Sequence, residues 1–156
     1  MQTKWRSRVD SFINAAKSKF FDNGVLWEAA CEPYESCDTD QLCFKGFLAQ
    51  YMSLATLMVP DIASEIFPLL ASSAAAAGTH CVGGPTGTMC DPYWTTPYNA
   101  SFTPAVGAQM TALNLFNANI LNPEFSLTNA SLVTNNTGGT SPGNPGGGTS
   151  QQMAPG

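Results

Sequence analysis

Basic residues, histidines and common catalytic motifs are scarce in this sequence of 156 residues. It has six Lys and Arg residues against eleven Asp and Glu, and no Lys or Arg follows Lys45. Because the chain has no basic stripe that could neutralise a phosphate backbone, we expect no nucleic acid partner. GxGxxG, P-loop and HExxH motifs are absent, no GxSxG elbow joins a predicted strand to a helix, and the single histidine, His80, is interpreted as a surface or loop residue rather than half of a nucleophile pair.

Five cysteines are present, and two local pairs close short loops rich in turn residues. We predict disulfides between Cys31 and Cys37 and between Cys81 and Cys90, which leaves Cys43 without an evident partner. Zinc ligation is the alternative, but the spacings contain no CxxC pair and only one histidine could add a nitrogen ligand. We therefore expect no metal and no cofactor.

The composition is typical of a secreted, glycosylated protein. Ser, Thr, Asn and Gly are plentiful, only 11% of residues are charged, and sequons place candidate glycosylation sites at Asn99, Asn129 and Asn135. The segment MQTKWRSRVD has no apolar h-region and QQMAPG has no hydrophobic tail. We expect any signal peptide or lipid-anchor signal of a secreted parent protein to be encoded outside these residues.

Apolar residues repeat at helical spacing in four segments, which we predict as helices at residues 4–21, 41–59, 61–77 and 104–121. Gly24 suits the left-handed residue that follows a helix, and residues 25–28 suit a short strand or extended segment. Pro60 is expected to end the second helix, Pro68 to kink or split the third, and Gly78 to end it.

The predicted fold class is all-α, with no sheet larger than a hairpin. Residues 79–103 form a long loop whose aromatic residues and candidate disulfide indicate that it is ordered. We predict one domain over residues 1–125 and a disordered linker of Gly, Ser, Thr, Pro and Asn over residues 126–156, because the latter cannot bury enough apolar surface to fold.

Carboxylates and aromatic residues are dense in two stretches of the chain. Glycoside hydrolysis needs two carboxyl groups roughly 5 to 9 Å apart and aromatic faces on which sugars stack. The chain offers such groups at Glu28, Glu32, Asp38 and Asp40 beside Trp27, and at Tyr93 and Trp94. The simpler interpretation is that Asp38 and Asp40 only cap the helix that begins at Gln41.

Several motifs in this order resemble the C-terminal part of glycoside hydrolase family 76, closest to its fungal cell-wall members. They are WEAACE, CDTDQ, FKGFL, SSAAAA, CVGG, GTMC with a following Trp, and GAQMTAL. The resemblance covers roughly residues 5–121 and implies a partial (α/α)6 barrel that holds only the last helical hairpins. It also implies a retaining glycosidase or transglycosylase that acts on alpha-1,6-mannan through two adjacent aspartates.

The resemblance places those aspartates in the N-terminal half of the family's domain, and this sequence contains no Asp-Asp pair. We therefore expect no catalytic residue in this chain, which alone would be inactive. Matching the family's motifs implies substrate-binding roles for Asp40, Lys45, Trp94 and Trp27, although core packing is an equal alternative for Trp94. Cys43 departs from the family, whose members usually have a small polar residue there.

The resemblance also implies partners and a location. The expected partners are alpha-1,6-mannan, or the mannan part of lipid-anchored glycoproteins, with wall glucan as an acceptor. The expected location is the cell wall or the outer face of the plasma membrane. The alternative function is a non-catalytic cell-wall glycoprotein that binds or displays glycans.

Overall fold

The computed structural model describes residues 3–103 and 105–123, and these form a helical fold. The helices are α1 (Thr3–Phe20), α2 (Gln41–Met58), α3 (Ala63–His80) and α4 (Val106–Ile120). Two short strands, β1 (Phe21–Asp22) and β2 (Val25–Leu26), and two 3-10 turns, Glu32–Tyr34 and Pro60–Ile62, lie between them. The predicted all-α class and its four helices are confirmed, whereas the predicted linker falls outside the described residues.

A tight hairpin follows α1, and its second strand lies within residues 25–28, where a short strand or extended segment was predicted. Phe21 pairs with Leu26 and Asp22 pairs with Val25 in an antiparallel ladder. Asn23 and Gly24 have positive φ values of 49° and 82°, as the loop residues of a type I′ turn require. The Asn-Gly sequence therefore turns the chain so that Leu26 enters the core, where its backbone N–H donates to the Ser73 hydroxyl at 2.9 Å.

Helix α2 begins after a reciprocal side-chain cap. The Asp38 carboxylate accepts hydrogen bonds from the backbone N–H groups of Asp40 and Gln41, at 3.1 and 2.9 Å. The Gln41 side chain in turn accepts from the Asp38 N–H at 2.9 Å. This is the capping-box arrangement, which satisfies N–H groups at the start of a helix. Asp38 makes these bonds, while the Asp40 side chain makes no capping bond.

Helix α3 is not split at Pro68, and it extends beyond its predicted end. Pro68 lies inside a continuous helix, and because Pro68 and Ser64 are both exposed, water can satisfy the carbonyl that proline leaves without an N–H donor. The helix also continues past Gly78 to His80. Gly78 is an exposed helical position, and a Cβ added there would meet no atom within 4 Å, so the prediction that it ends the helix was wrong.

Helices α2 and α4 lie side by side and run parallel. A Cβ on Gly46 would lie 2.6 Å from Thr111 Cα, and one on Gly107 would lie 2.9 Å from Leu42 Cβ. Further along, the Ser53 hydroxyl donates to the Ala118 carbonyl at 2.6 Å. From one contact to the next, the residue numbers increase in both helices, which shows that the two helices run in the same direction. The N-termini of α2 and α4, with the long loops that precede them, therefore lie at one end of the fold.

Helix α3 completes the core with α2 and α4. The Asn119 side chain donates to the Leu70 carbonyl at 3.2 Å, and the buried α3 residues include Ile66, Leu70 and Ala77. The segment Pro60–His80 is long and apolar enough to cross a membrane by length and composition alone. Because one face of it packs into this core, we interpret it as a core helix.

Helix α1 lies at the side of this core. It contacts the neighbouring elements through Ile13, Val9 and the ion pairs Arg6–Asp61 and Lys17–Glu65. An open apolar groove of about 480 Å³ separates α1 from α2 and α3. Among the residues that line it are Phe12, Ala16, Phe20, Leu48, Tyr51 and Ile66.

Candidate functional site

A buried lysine joins the two long loops at the end of the fold where α2 and α4 begin. Lys45 lies near the start of α2 with its side chain only 2% exposed. Its ammonium group lies 2.6 Å from a carboxylate oxygen of Glu32, which belongs to the first loop. It also donates to the Pro92 carbonyl and lies 3.8 Å from the ring centroid of Trp94, both in the second loop.

A buried aspartate organises the second loop. The Asp91 carboxylate accepts from the backbone N–H groups of Tyr93 and Asn99, each at 2.9 Å. The Trp94 indole N–H donates to the Asp91 carbonyl at 3.1 Å. His80 Nδ1 lies 3.5 Å from the same carboxylate, and His80 is buried at the end of α3. The interpretation of His80 as a surface or loop residue was therefore wrong.

The charges around Lys45 are mostly negative. Burial raises the pKa of Glu32, although Lys45 acts against this shift, and burial lowers the pKa of Lys45 against the pull of Glu32, Asp91 and Glu28. Within the described residues, Glu32 Oε2 is buried and has no hydrogen-bond partner. The cluster is thus held by attraction between groups that would be costly to bury singly.

Two disulfides close the loops that meet at Lys45. The structure has both predicted bonds, Cys31–Cys37 and Cys81–Cys90. Cys43 is a free thiol. No group of three or more His, Cys, Asp or Glu side chains in the described part of the chain could hold a metal ion.

The predicted substrate-binding residues separate into two pairs. Lys45 and Trp94 contact each other but are buried, so in this structure neither side chain is open to a sugar. Asp40 is exposed beside the start of α2, and Trp27 is half-buried after β2. A direct substrate contact by any of the four stays a prediction.

The structural roles of Glu32, Asp91 and Pro92 were not predicted from the sequence. Glu32 was treated as one of several free carboxylates, although its partner Lys45 lies thirteen positions further along the chain. Lys45 is flanked by apolar residues on a helix, and a lysine that is buried with such residues needs an acidic partner. This pattern could have predicted the pair.

Asn99, a candidate glycosylation site, is exposed, while Asn129 and Asn135 lie outside the described residues.

The described residues thus form an all-α fold with two ordered, disulfide-closed loops at one end. Glycosyl hydrolase family 76 matches residues 1–131, and the chain belongs to this family. The solved structure of Dfg5 from Chaetomium thermophilum in complex with glucosamine matches 77% of the chain, with a TM-score of 0.72 and 33% identity. This confirms the predicted partial barrel fold.

Curated relatives point the same way. The mannan endo-1,6-alpha-mannosidase DCW1 of Saccharomyces cerevisiae is 33% identical over 95% of this chain and 31% of its own length. The mannan endo-1,6-alpha-mannosidase DCW1 of Candida glabrata is 34% identical over 88% of this chain and 31% of its own length. The match to Dfg5 covers 30% of that chain. This chain therefore spans about a third of the length of the proteins it matches.

Proposed function

We propose that this chain forms part of a retaining glycosidase or transglycosylase that acts on alpha-1,6-mannan in the fungal cell wall. The observation that carries the proposal is the family match over residues 1–131, which includes both loops pinned by Lys45. The names of the relatives, mannan endo-1,6-alpha-mannosidases, supply the substrate class.

The chain's contribution would be one wall of the sugar cleft. Asp40 is exposed beside the start of α2 and Trp27 is half-buried after β2, which supports roles in hydrogen bonding and stacking to mannose. The burial of Lys45 and Trp94 supports a different role from the one their motif implies. They would hold the two loops in position from beneath rather than touch the sugar.

The two catalytic aspartates implied by the family resemblance would come from residues outside this sequence, which has no Asp-Asp pair. Retaining hydrolysis needs a nucleophile and a separate acid/base group about 5 Å apart. We therefore expect the chain alone to release no sugar from alpha-1,6-mannan. Robust hydrolysis or transfer by the purified chain would contradict the inference that its catalytic aspartates lie outside this sequence.

A chimaera tests the proposal directly. The third of S. cerevisiae DCW1 that aligns with this chain would be replaced by the chain, and cleavage of or transfer to alpha-1,6-mannan would be compared with intact DCW1. We expect the chimaera to retain activity because the loops and the Lys45 cluster are supplied together. A secreted, folded chimaera without activity on mannan would overturn the proposal and favour a non-catalytic wall glycoprotein.

The location and partners follow from the same proposal. A secreted parent protein at the cell wall or plasma membrane would meet the mannan part of lipid-anchored glycoproteins, with wall glucan as an acceptor. The two disulfides fit an oxidising compartment. Asn99 is exposed and its sequon lies in a turn, which supports glycosylation there.

A further inference from the structure

The Cys31–Cys37 disulfide closes a short loop that displays an aromatic ring beside a carboxylate. The loop contains the 3-10 turn Glu32–Tyr34. Tyr34 at its tip is 78% exposed, and Glu35, which follows, is also exposed. Glu35 adopts a left-handed backbone with φ of 49°, a conformation that costs energy for any residue other than glycine.

The base of this loop is rigid although its tip is open. Cys31 and Glu32 are buried, and the Cys31 carbonyl accepts hydrogen bonds from the N–H groups of Tyr34 and Ser36, at 3.1 and 3.2 Å. Glu32 is held by Lys45 at 2.6 Å. Tyr34 is therefore displayed on a fixed support, which reduces the conformational entropy lost when a ligand binds.

The second long loop braces the first. Burial raises the pKa of Tyr93, and the nearby backbone of Cys37 in the first loop acts against this rise. Lys45 links Glu32 of the first loop to Pro92 of the second. The Tyr34–Glu35 tip thus belongs to the same end of the fold as Asp40 and the start of α2.

We propose that Tyr34 and Glu35 form a sugar-contacting subsite for a neutral hexose unit of the polysaccharide. The tyrosine ring would pack on the apolar C–H face of the sugar, and the Glu35 carboxylate would accept hydrogen bonds from its hydroxyl groups. The inference rests on the proposed function, since it names residues that would bind the mannan chain. It moves the stacking role from buried Trp94 to exposed Tyr34.

Binding of an alpha-1,6-linked mannotetraose to the whole chain tests the subsite. Affinity would be measured by isothermal titration calorimetry or NMR titration for wild type, Tyr34→Ala, Tyr34→Phe and Glu35→Gln. Tyr51→Ala is the matched control, because Tyr51 is 68% exposed but lies on α2. Circular dichroism and a free-thiol assay would verify that each variant keeps its helices and disulfides.

We expect Tyr34→Ala to weaken binding about five- to tenfold, the range of a lost aromatic contact. Tyr34→Phe and Tyr51→Ala should bind like wild type, and Glu35→Gln should weaken binding to a smaller extent. Wild-type affinity in Tyr34→Ala would overturn the subsite while leaving the proposed function intact. Failure of wild type to bind the tetraose would also overturn the subsite, and the chimaera assay would then judge the function separately.

Discussion

Lys45 shows how a single residue can connect distant parts of the chain. Its side chain contacts Glu32, Pro92 and Trp94 while almost completely removed from water. A buried charge is tolerated only when a partner compensates it. The pairing therefore fixes where both loops stand relative to α2.

Removing one member of this pair should destabilise the fold strongly. Lys45→Met leaves Glu32 as an uncompensated buried carboxylate, and we expect a loss of about 3 to 5 kcal/mol in the free energy of unfolding. Chemical denaturation followed by circular dichroism would measure it. Lys17→Met breaks the half-exposed pair with Glu65 and should cost less than about 1 kcal/mol.

The double variant Lys45→Met with Glu32→Gln distinguishes the contribution of the ion pair to stability from the contribution of side-chain packing. With both charges gone, much of the lost stability should return. If the double variant is as unstable as Lys45→Met, the packing of the lysine side chain on Trp94 is the main contribution, and the ion-pair argument is wrong.

The same variant should depend on pH in a defined direction. Lys45 lowers the pKa of Glu32 and burial raises it, so Lys45→Met should raise this pKa further. The folded variant would then keep a proton that the unfolded chain releases above its ordinary pKa of 4.5. Its free energy of unfolding should fall as pH rises above that value, more steeply than in wild type. If the free energy of unfolding has the same pH dependence in the variant and the wild type over this range, Lys45 does not lower the pKa of Glu32.

Among the helices, the contact between α2 and α4 depends on two glycines. Gly46→Ala places a methyl group 2.6 Å from the Thr111 backbone, and we expect a loss of about 1 to 3 kcal/mol. Gly78→Ala is the control, because that helical position is open. It should stabilise the protein by about 0.5 to 1 kcal/mol, and thermal or denaturant unfolding would compare the two.

The helices were predictable because each carries an apolar period and local signals at its ends. Asp38 and Pro60 bracket α2, whereas Gly24 in the hairpin before it was interpreted only as the residue that follows α1. The end of α3 was not predictable, since a glycine inside a helix and one just after it look alike in sequence. His80 is buried beside Asp91, a tertiary contact that no local pattern encodes.

The candidate site was predictable only in outline. The carboxylate-rich and aromatic stretches were recognised, and both disulfides followed from spacing. Which residues of the candidate site are buried and which are exposed could not be predicted from the sequence. Lys45 and Trp94 stand in the sequence as polar and aromatic groups suited to a ligand, whereas the folded chain uses them to satisfy each other and Glu32.

At the scale of the whole molecule, a large apolar surface remains uncovered. Met58 and Val106 are each at least 75% exposed, and α1 is separated from α2 by the apolar groove. Faces of this size usually pack against further structure. We expect the isolated chain to bind a hydrophobic dye and to unfold over a broad temperature range. A sharp, cooperative calorimetric transition in a monomer would contradict this expectation.

The close contact of α2 with α4 has a consequence for how such a protein can diversify. Gly46 and Gly107 set the alignment of the two helices within the core, and residues 84–88 are an exposed stretch of the loop that joins α3 to α4. Insertions or deletions in that stretch can alter what the loop presents to a ligand while Asp91, Pro92 and Trp94 keep their buried contacts. The exposed stretch can therefore vary without loss of the interactions that stabilise the fold.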